Sequence, residues 1–166
     1  LGEVAYEIAQ FTQNHQLRVV ILPHVGTEEE FEFNRRVGAA LVTSGMPPTD
    51  VEVVRRLRDF REYDSRIAGA RLIIGGRYHA VVLAAKNGRP FVSLSYENKM
   101  IEVCRYLGME EFSIDLRESE RSRLPIRQAL ERALGDGDAL SDRLLSVVQD
   151  ELATAALRPL ADLGFT

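Results

Sequence analysis

At 166 residues the chain is long enough for one well-cored domain and too short for two comfortable ones. A content of 45% hydrophobic and 28% charged residues excludes collagen-like, coiled-coil and wholly disordered chains. The formal net charge of -4 argues against a general nucleic-acid-coating role, because such binding draws its affinity from phosphate neutralisation; it leaves room for a local anion site.

In chain order, Val4, Ile8 and Phe11 fall at helical spacing within residues 3–14. The run Val19-Val20-Ile21-Leu22, β-branched and ended by Pro23, reads as a buried parallel strand. Thr27 followed by Glu28, Glu29 and Glu30 is a helix start, with a capping hydroxyl and acids near the positive helix end, and that helix is expected to reach Val42 before SGMPP breaks it. Val51 to Val54 reads as a short strand and Phe60 to Ala68 as a helix.

Three strand and helix alternations follow. Arg71 to Ile74 is a predicted strand, Gly75-Gly76 a tight turn, Arg77 to Asn87 a short apolar helix with Gly88 as its stop. Phe91 to Leu94 is the next strand, Asn98 to Leu107 the next helix, stopped at Gly108, and Phe112 to Ile114 the last strand. Connections this short require right-handed crossovers, so the expected fold is α/β, a three-layer Rossmann-like domain with a mostly parallel sheet. From Arg117 onward strand signals vanish, and Leu124 to Leu134 and Leu140 to Leu157 read as helices parted by a GDGD turn. Leu144, Val147, Val148 and Leu152 form an apolar stripe on the second of these, expected to be partly exposed. The domain reading is thus a Rossmann-like core over 1–116 and a helical extension over 117–166 packed on it.

The single cysteine, Cys104, excludes an internal disulfide and a cysteine-based metal cluster; in MIEVCRYL it falls on an apolar helix face and reads as a packed thiol. No apolar run approaches the ~20 residues needed to span a bilayer, and the opening segment lacks the order of a signal peptide, so the expectation is a cytoplasmic protein. The chain opens at Leu1 directly into a helix, as a piece cut from a longer protein would.

In an open parallel sheet, ligands bind at the carboxyl ends of the strands. Four segments arrive there: His24-Val25-Gly26, Gly75 to His79, Ser95 to Lys99, and Asp115. Gly75 and Gly76 leave uncapped helix N–H groups that can face an anion, and Arg77 adds a planar multi-donor cation suited to phosphate or carboxylate. His79, heading an apolar helix, either satisfies a buried carbonyl or serves as a general acid or base. His24 divides between a site and a structural role, and His15 in QNHQ reads as surface. Tyr96, Glu97 and Lys99 lie in a loop entering a helix. Glu97 could cap that helix, bind a sugar hydroxyl, or pair with Lys99 if the loop bends; Lys99 could complete the charge balance around a phosphate. No histidine pair has metal spacing, and no GxSxG elbow exists, so neither a metal nor a cofactor is expected.

The stretch from Tyr63 to Leu116 carries a resemblance. Gly76-Arg77-Tyr78-His79-Ala80, with Pro90-Phe91-Val92-Ser93-Leu94-Ser95-Tyr96-Glu97-Asn98-Lys99 and Tyr106-Leu107-Gly108, resembles the polysaccharide pyruvyl transferase family, and VVILPHV sits where that family has it. The likeness spans roughly residues 17–116. It implies one half of a two-domain GT-B-like enzyme whose N-terminal partner domain is missing here, transferring the enolpyruvyl unit of phosphoenolpyruvate to a sugar hydroxyl of a cell-surface or exported polysaccharide. By the same likeness Arg77 holds the donor's negative groups and His79 is the acid catalyst; the place of Gly75, Gly76, His24, Tyr96, Glu97 and Lys99 at the strand ends makes them further substrate-binding candidates. The implied partners are the donor and a sugar or polysaccharide acceptor, with no nucleic acid; there is room for peripheral association with membrane assembly machinery and for a homodimer. The rival readings are a nucleotide-sugar-dependent glycosyltransferase domain and a non-catalytic interaction domain.

Overall fold

The structure is a computed structural model that describes residues 1–117 and 125–162, with side chains described as far as Glu151 in the last helix. Its elements follow one another as α1 (Gly2–Asn14), β1 (Val19–Ile21), α2 (Glu28–Thr43), β2 (Val51–Val53), α3 (Phe60–Ala68), β3 (Ile73–Gly75), α4 (Tyr78–Lys86), β4 (Phe91–Ser95), α5 (Asn98–Tyr106), β5 (Ser113–Asp115), α6 (Pro125–Gly135) and α7 (Gly137–Asp162). Every ladder among the described residues is parallel, and each expected strand forms within two residues of its expected bounds.

The strands make two small sheets, β1-β2 and β3-β4-β5, where the sequence suggests one. Most strands are only three residues long, and no ladder joins β1 to β3. Their carboxyl ends are nevertheless neighbours, because the rings of His24, just after β1, and His79, just after β3, stack with centroids 4.9 Å apart. The β1-β2 and β3-β4-β5 sheets thus meet at the loops that follow β1 and β3. Those loops lie at the carboxyl ends of their strands, the side on which open α/β sheets hold ligands.

Local sequence explains the elements. Thr27 caps α2 by accepting the Glu30 amide at 3.2 Å, and Asp59 caps α3 through Glu62 at 2.9 Å. Gly38 lets α2 lie close on the first sheet, where a Cβ would come within 2.8 Å of Val53 Cγ2. The core joins Phe11, Leu41, Ile67, Val81, Phe91, Val92, Cys104 and Phe112, all fully or nearly fully buried. Cys104 is the packed thiol that its helix face implies; burial pushes its pKa up, against hydrogen bonds from Ser113 and Ser93.

The C-terminal helices differ from expectation at their junction. A single residue, Asp136, separates α6 from α7 in place of a four-residue turn. Its amide donates to the Arg132 carbonyl at 2.8 Å and its carbonyl accepts from the Leu140 amide at 3.0 Å, so it closes one helix and opens the next. Leu124, the expected first residue of α6, lies outside the described residues. In α6, Ile126, Ala129, Leu130 and Ala133 are buried. Along the α7 stripe Leu144 is buried, Val147 and Val148 are half-buried, and the Leu152 side chain lies outside the described part. Gly88 receives Leu145 of α7 where a Cβ would meet its Cγ at 2.7 Å. His15, read as surface, is half-buried: its Nε2 lies 2.6 Å from Glu131 Oε2, pinning the end of α1 to α6.

Candidate active site

The four segments expected at the strand ends are linked by contacts from one to the next. His24 stacks on His79 with an interplanar angle of 26°. Beside them, Arg77 Nη1 donates to the Tyr96 hydroxyl at 2.9 Å, with its guanidinium 5.8 Å from the centre of that ring. Lys99 Nζ lies 5.9 Å from the centre of the Tyr78 ring, and Arg117 bridges Asn98 Oδ1 at 2.8 Å to the Asp115 carboxylate at 2.6 Å. One belt of polar side chains thus crosses the carboxyl ends of β1, β3, β4 and β5.

The two glycines before α4 work differently. A Cβ on Gly75 would meet Val81 Cγ2 at 2.8 Å, so this glycine permits the close return of α4 onto β3. Around Gly76 the corresponding space is open. Neither has a positive φ, so close approach and free space explain them, and left-handed backbone does not. The N-cap of α4 is Arg77, whose side chain makes no capping hydrogen bond; the Ala80 amide donates to the Arg77 carbonyl at 3.1 Å, so the helix-end donors left for an anion are those of Tyr78 and His79. The hydrogen-bond partner of Arg77 is a neutral phenol rather than a carboxylate, which leaves its charge for an incoming anion.

His79 is exposed at the head of α4 and so does not serve a buried carbonyl. The electrostatics of His24 are better defined. Burial, the neighbouring His79 and Arg77 all depress its pKa, against the opposing pull of Glu30, so its neutral imidazole is favoured. Glu97 and Lys99 pair with each other at 2.9 Å; this bond to Lys99 lowers the Glu97 pKa and raises that of Lys99. Of the three uses open to Glu97 the loop adopts the bent one, and its side chain makes no cap bond to α5 although it occupies the N-cap position. Asp115 is held down to about 2 by hydrogen bonds from the Arg117 side chain and amide.

Sequence reasoning missed Glu30. Its Oε1 accepts the His24 amide at 2.8 Å and its Oε2 accepts the amides of Val25 and Gly26 at 2.9 and 2.7 Å. Burial pushes its carboxyl pKa up, but those three amides outweigh it and hold the value below the usual range. The signal was present in a Glu three residues after the capping Thr27 and four after Gly26, whose φ of +77° turns the loop back on the helix. Also missed was a cleft of about 540 Å³ lined by His24 itself with Pro23, Arg56, Asp59, Phe60 and Tyr63 among others. Tyr63 has its phenol pKa raised by burial and by Glu30.

Among the described residues no cluster of His, Cys, Asp and Glu is built to hold a metal ion, and no helix is long and apolar enough to cross a membrane.

Comparison with known proteins places residues 4–98 on the family model described as polysaccharide pyruvyl transferase, more than half of the chain. A curated relative is the amylovoran biosynthesis protein AmsJ of Erwinia amylovora, 36% identical over 50 residues; the match covers 30% of this chain and 12% of AmsJ. No solved structure matches.

Proposed function

The chain belongs to the polysaccharide pyruvyl transferase family, and on that premise we propose that it supplies the donor-binding half of an enzyme that moves the enolpyruvyl group of phosphoenolpyruvate to a sugar hydroxyl of a polysaccharide or its precursor. The observation that carries this reading is the meeting of Arg77, bonded to the Tyr96 hydroxyl, with the stacked His24 and His79 at the strand ends. The donor carries a phosphate and a carboxylate beside an enol carbon. Two such anions need a guanidinium fork and free helix amides, and both stand at the head of α4.

Enolpyruvyl transfer also needs a proton at the terminal methylene carbon as the acceptor oxygen bonds to the central carbon. His79, one helical step beyond the anion site, is in range to give it. Arg77 thus binds and orients, and His79 acts on the carbon. Tyr96 holds the guanidinium over the β4 end, and the open space at Gly76 admits the donor to the amides. Glu97 and Lys99, engaged with each other, screen the outer side of the site.

Isothermal calorimetry and thermal shift with phosphoenolpyruvate, set against a uridine or cytidine diphosphate sugar, test the assignment. Binding of phosphoenolpyruvate that is lost in Arg77→Ala supports it. Preference for the nucleotide sugar would move the chain to the glycosyltransferase reading.

A further inference from the structure

The stacked histidines have unequal surroundings. His79 stands on the donor side, two residues from Arg77. His24 forms part of the wall of the 540 Å³ cleft with Phe60, Tyr63, Arg56 and Asp59, a mixture of exposed aromatic, phenol, cation and carboxylate suited to a polyhydroxylated ring. His24 thus both stacks on its partner imidazole and lines a space of a size for small-molecule ligands. We propose that His24 is the general base of the reaction, taking the proton of an acceptor sugar hydroxyl seated in that cleft while His79 protonates the donor. This rests on the pyruvyl transfer proposed above.

The chemistry closes on itself. In the first step the hydroxyl oxygen bonds to C2 of phosphoenolpyruvate, the C2=C3 electron pair takes the His79 proton at C3, and the hydroxyl proton passes to His24. In the second, the C2–O bond to phosphate breaks with its electrons leaving on phosphate, which takes the proton from His24. A second hydroxyl of the same acceptor then bonds to C2 and gives its proton to His79. The product is a cyclic ketal plus hydrogen phosphate, and both imidazoles return to their starting states.

At no step do both rings carry the extra proton together, as suits imidazoles 4.9 Å apart, since two imidazoliums at that distance repel. Burial and the flanking His79 and Arg77 keep the His24 imidazole neutral, the state in which a base can accept a proton. The ionisable groups facing His24 are Glu30 from α2, Arg77 and His79 at the head of α4, and Tyr63, Asp59 and Arg56 across the cleft. Of these Glu30 alone is shown opposing the depression, and its carboxylate is committed to the three loop amides, which fixes the backbone that carries the imidazole.

The chain has only three histidines, so their ring C–H signals are readily resolved by NMR and assigned with single His→Gln variants. His24 is expected to titrate below the ordinary imidazole value, and phosphoenolpyruvate to shift the His79 ring signal. In the full-length protein, release of phosphate from phosphoenolpyruvate with a methyl glucopyranoside acceptor is expected to fall ~10²-fold in kcat for His24→Gln, with donor affinity within a few-fold. That variant should also lose the acidic limb of the pH-rate profile, and added imidazole should restore part of the rate to His24→Gly. A His24 that titrates above the ordinary imidazole value, or a His24→Gln enzyme with normal kcat and an intact acidic limb, would overturn the base assignment. A wild-type chain whose His79 signal ignores phosphoenolpyruvate would instead overturn the donor reading, leaving the His24 titration to judge the base assignment itself.

Discussion

Arg77 and Tyr96 come from the ends of different strands and meet through one hydrogen bond of 2.9 Å, with the guanidinium also over the phenol ring. The phenol orients a cation without neutralising it. An ammonium in place of the guanidinium could keep the charge but not the fork that grips two oxygens. Arg77→Lys is therefore expected to raise the phosphoenolpyruvate dissociation constant about tenfold, the weight of ~1.4 kcal/mol, with a smaller change in kcat. Calorimetry on both proteins checks this; unchanged affinity would move Arg77 out of the donor site.

His79 should behave in the opposite way. His79→Gln keeps much of the size and polarity of the ring and removes its proton chemistry. Donor affinity is expected to stay within a few-fold while kcat falls ~10²-fold or more in the full-length protein. Single-turnover rates at saturating donor separate the two effects, and a near-normal kcat would remove the acid role from His79.

The neighbouring glycines give a contrasting pair of variants. Gly75→Ala would drive its Cβ to 2.8 Å from Val81 Cγ2, overpacking the start of α4. A loss of ~1–3 kcal/mol in unfolding free energy is expected. At Gly76 the space is open, so Gly76→Ala should leave the denaturation midpoint nearly unchanged and weaken phosphoenolpyruvate binding by occupying the approach to the amides. Urea titration with calorimetry on both variants decides the matter.

Glu30 predicts a pH signature. Its folded pKa lies below the ordinary carboxylate value, so its stabilising contribution is present above the unfolded pKa of about 4.3 and is lost as pH falls through the folded value. Wild-type Tm should therefore drop more than that of Glu30→Gln on going from about pH 6 to about pH 3.5. Parallel Tm-against-pH curves would show that the three amide bonds contribute nothing that depends on the charge.

Much of this architecture could be read from residue patterns. Pro and Gly punctuation around short β-branched runs marked every strand, and Thr27 marked the start of α2, because these signals act over a few residues. What could not be read depends on contacts distant in sequence. The absence of a ladder between β1 and β3 depends on strand length and twist, which no local motif encodes. The α6–α7 junction was misjudged because Gly and Asp suit turns, whereas here the Asp136 backbone bonds into both helices. At the site, Arg77 and His79 stood out by residue type and place, but the partner of each did not: Tyr96 lies 19 residues from Arg77, and the stacking of His24 on His79 links two separate loops. Glu30 was hidden in an acidic run whose helix-end role was explanation enough.

The seam between β1 and β3 also shapes how the protein opens. With no backbone ladder across it, β1 and β2 can lose their hydrogen bonds without unpairing β3, β4 and β5. The first sheet is the less buried, with Val20 44% exposed, while Phe91, Val92 and Ser93 of β4 are wholly buried. Native-state hydrogen exchange should therefore divide the strands into two cooperative units, the β1-β2 amides exchanging first and those of β4 only on global unfolding. The two imidazoles straddle the border of those units, so each excursion of the weaker sheet would part them and interrupt the site while the rest of the core stays folded.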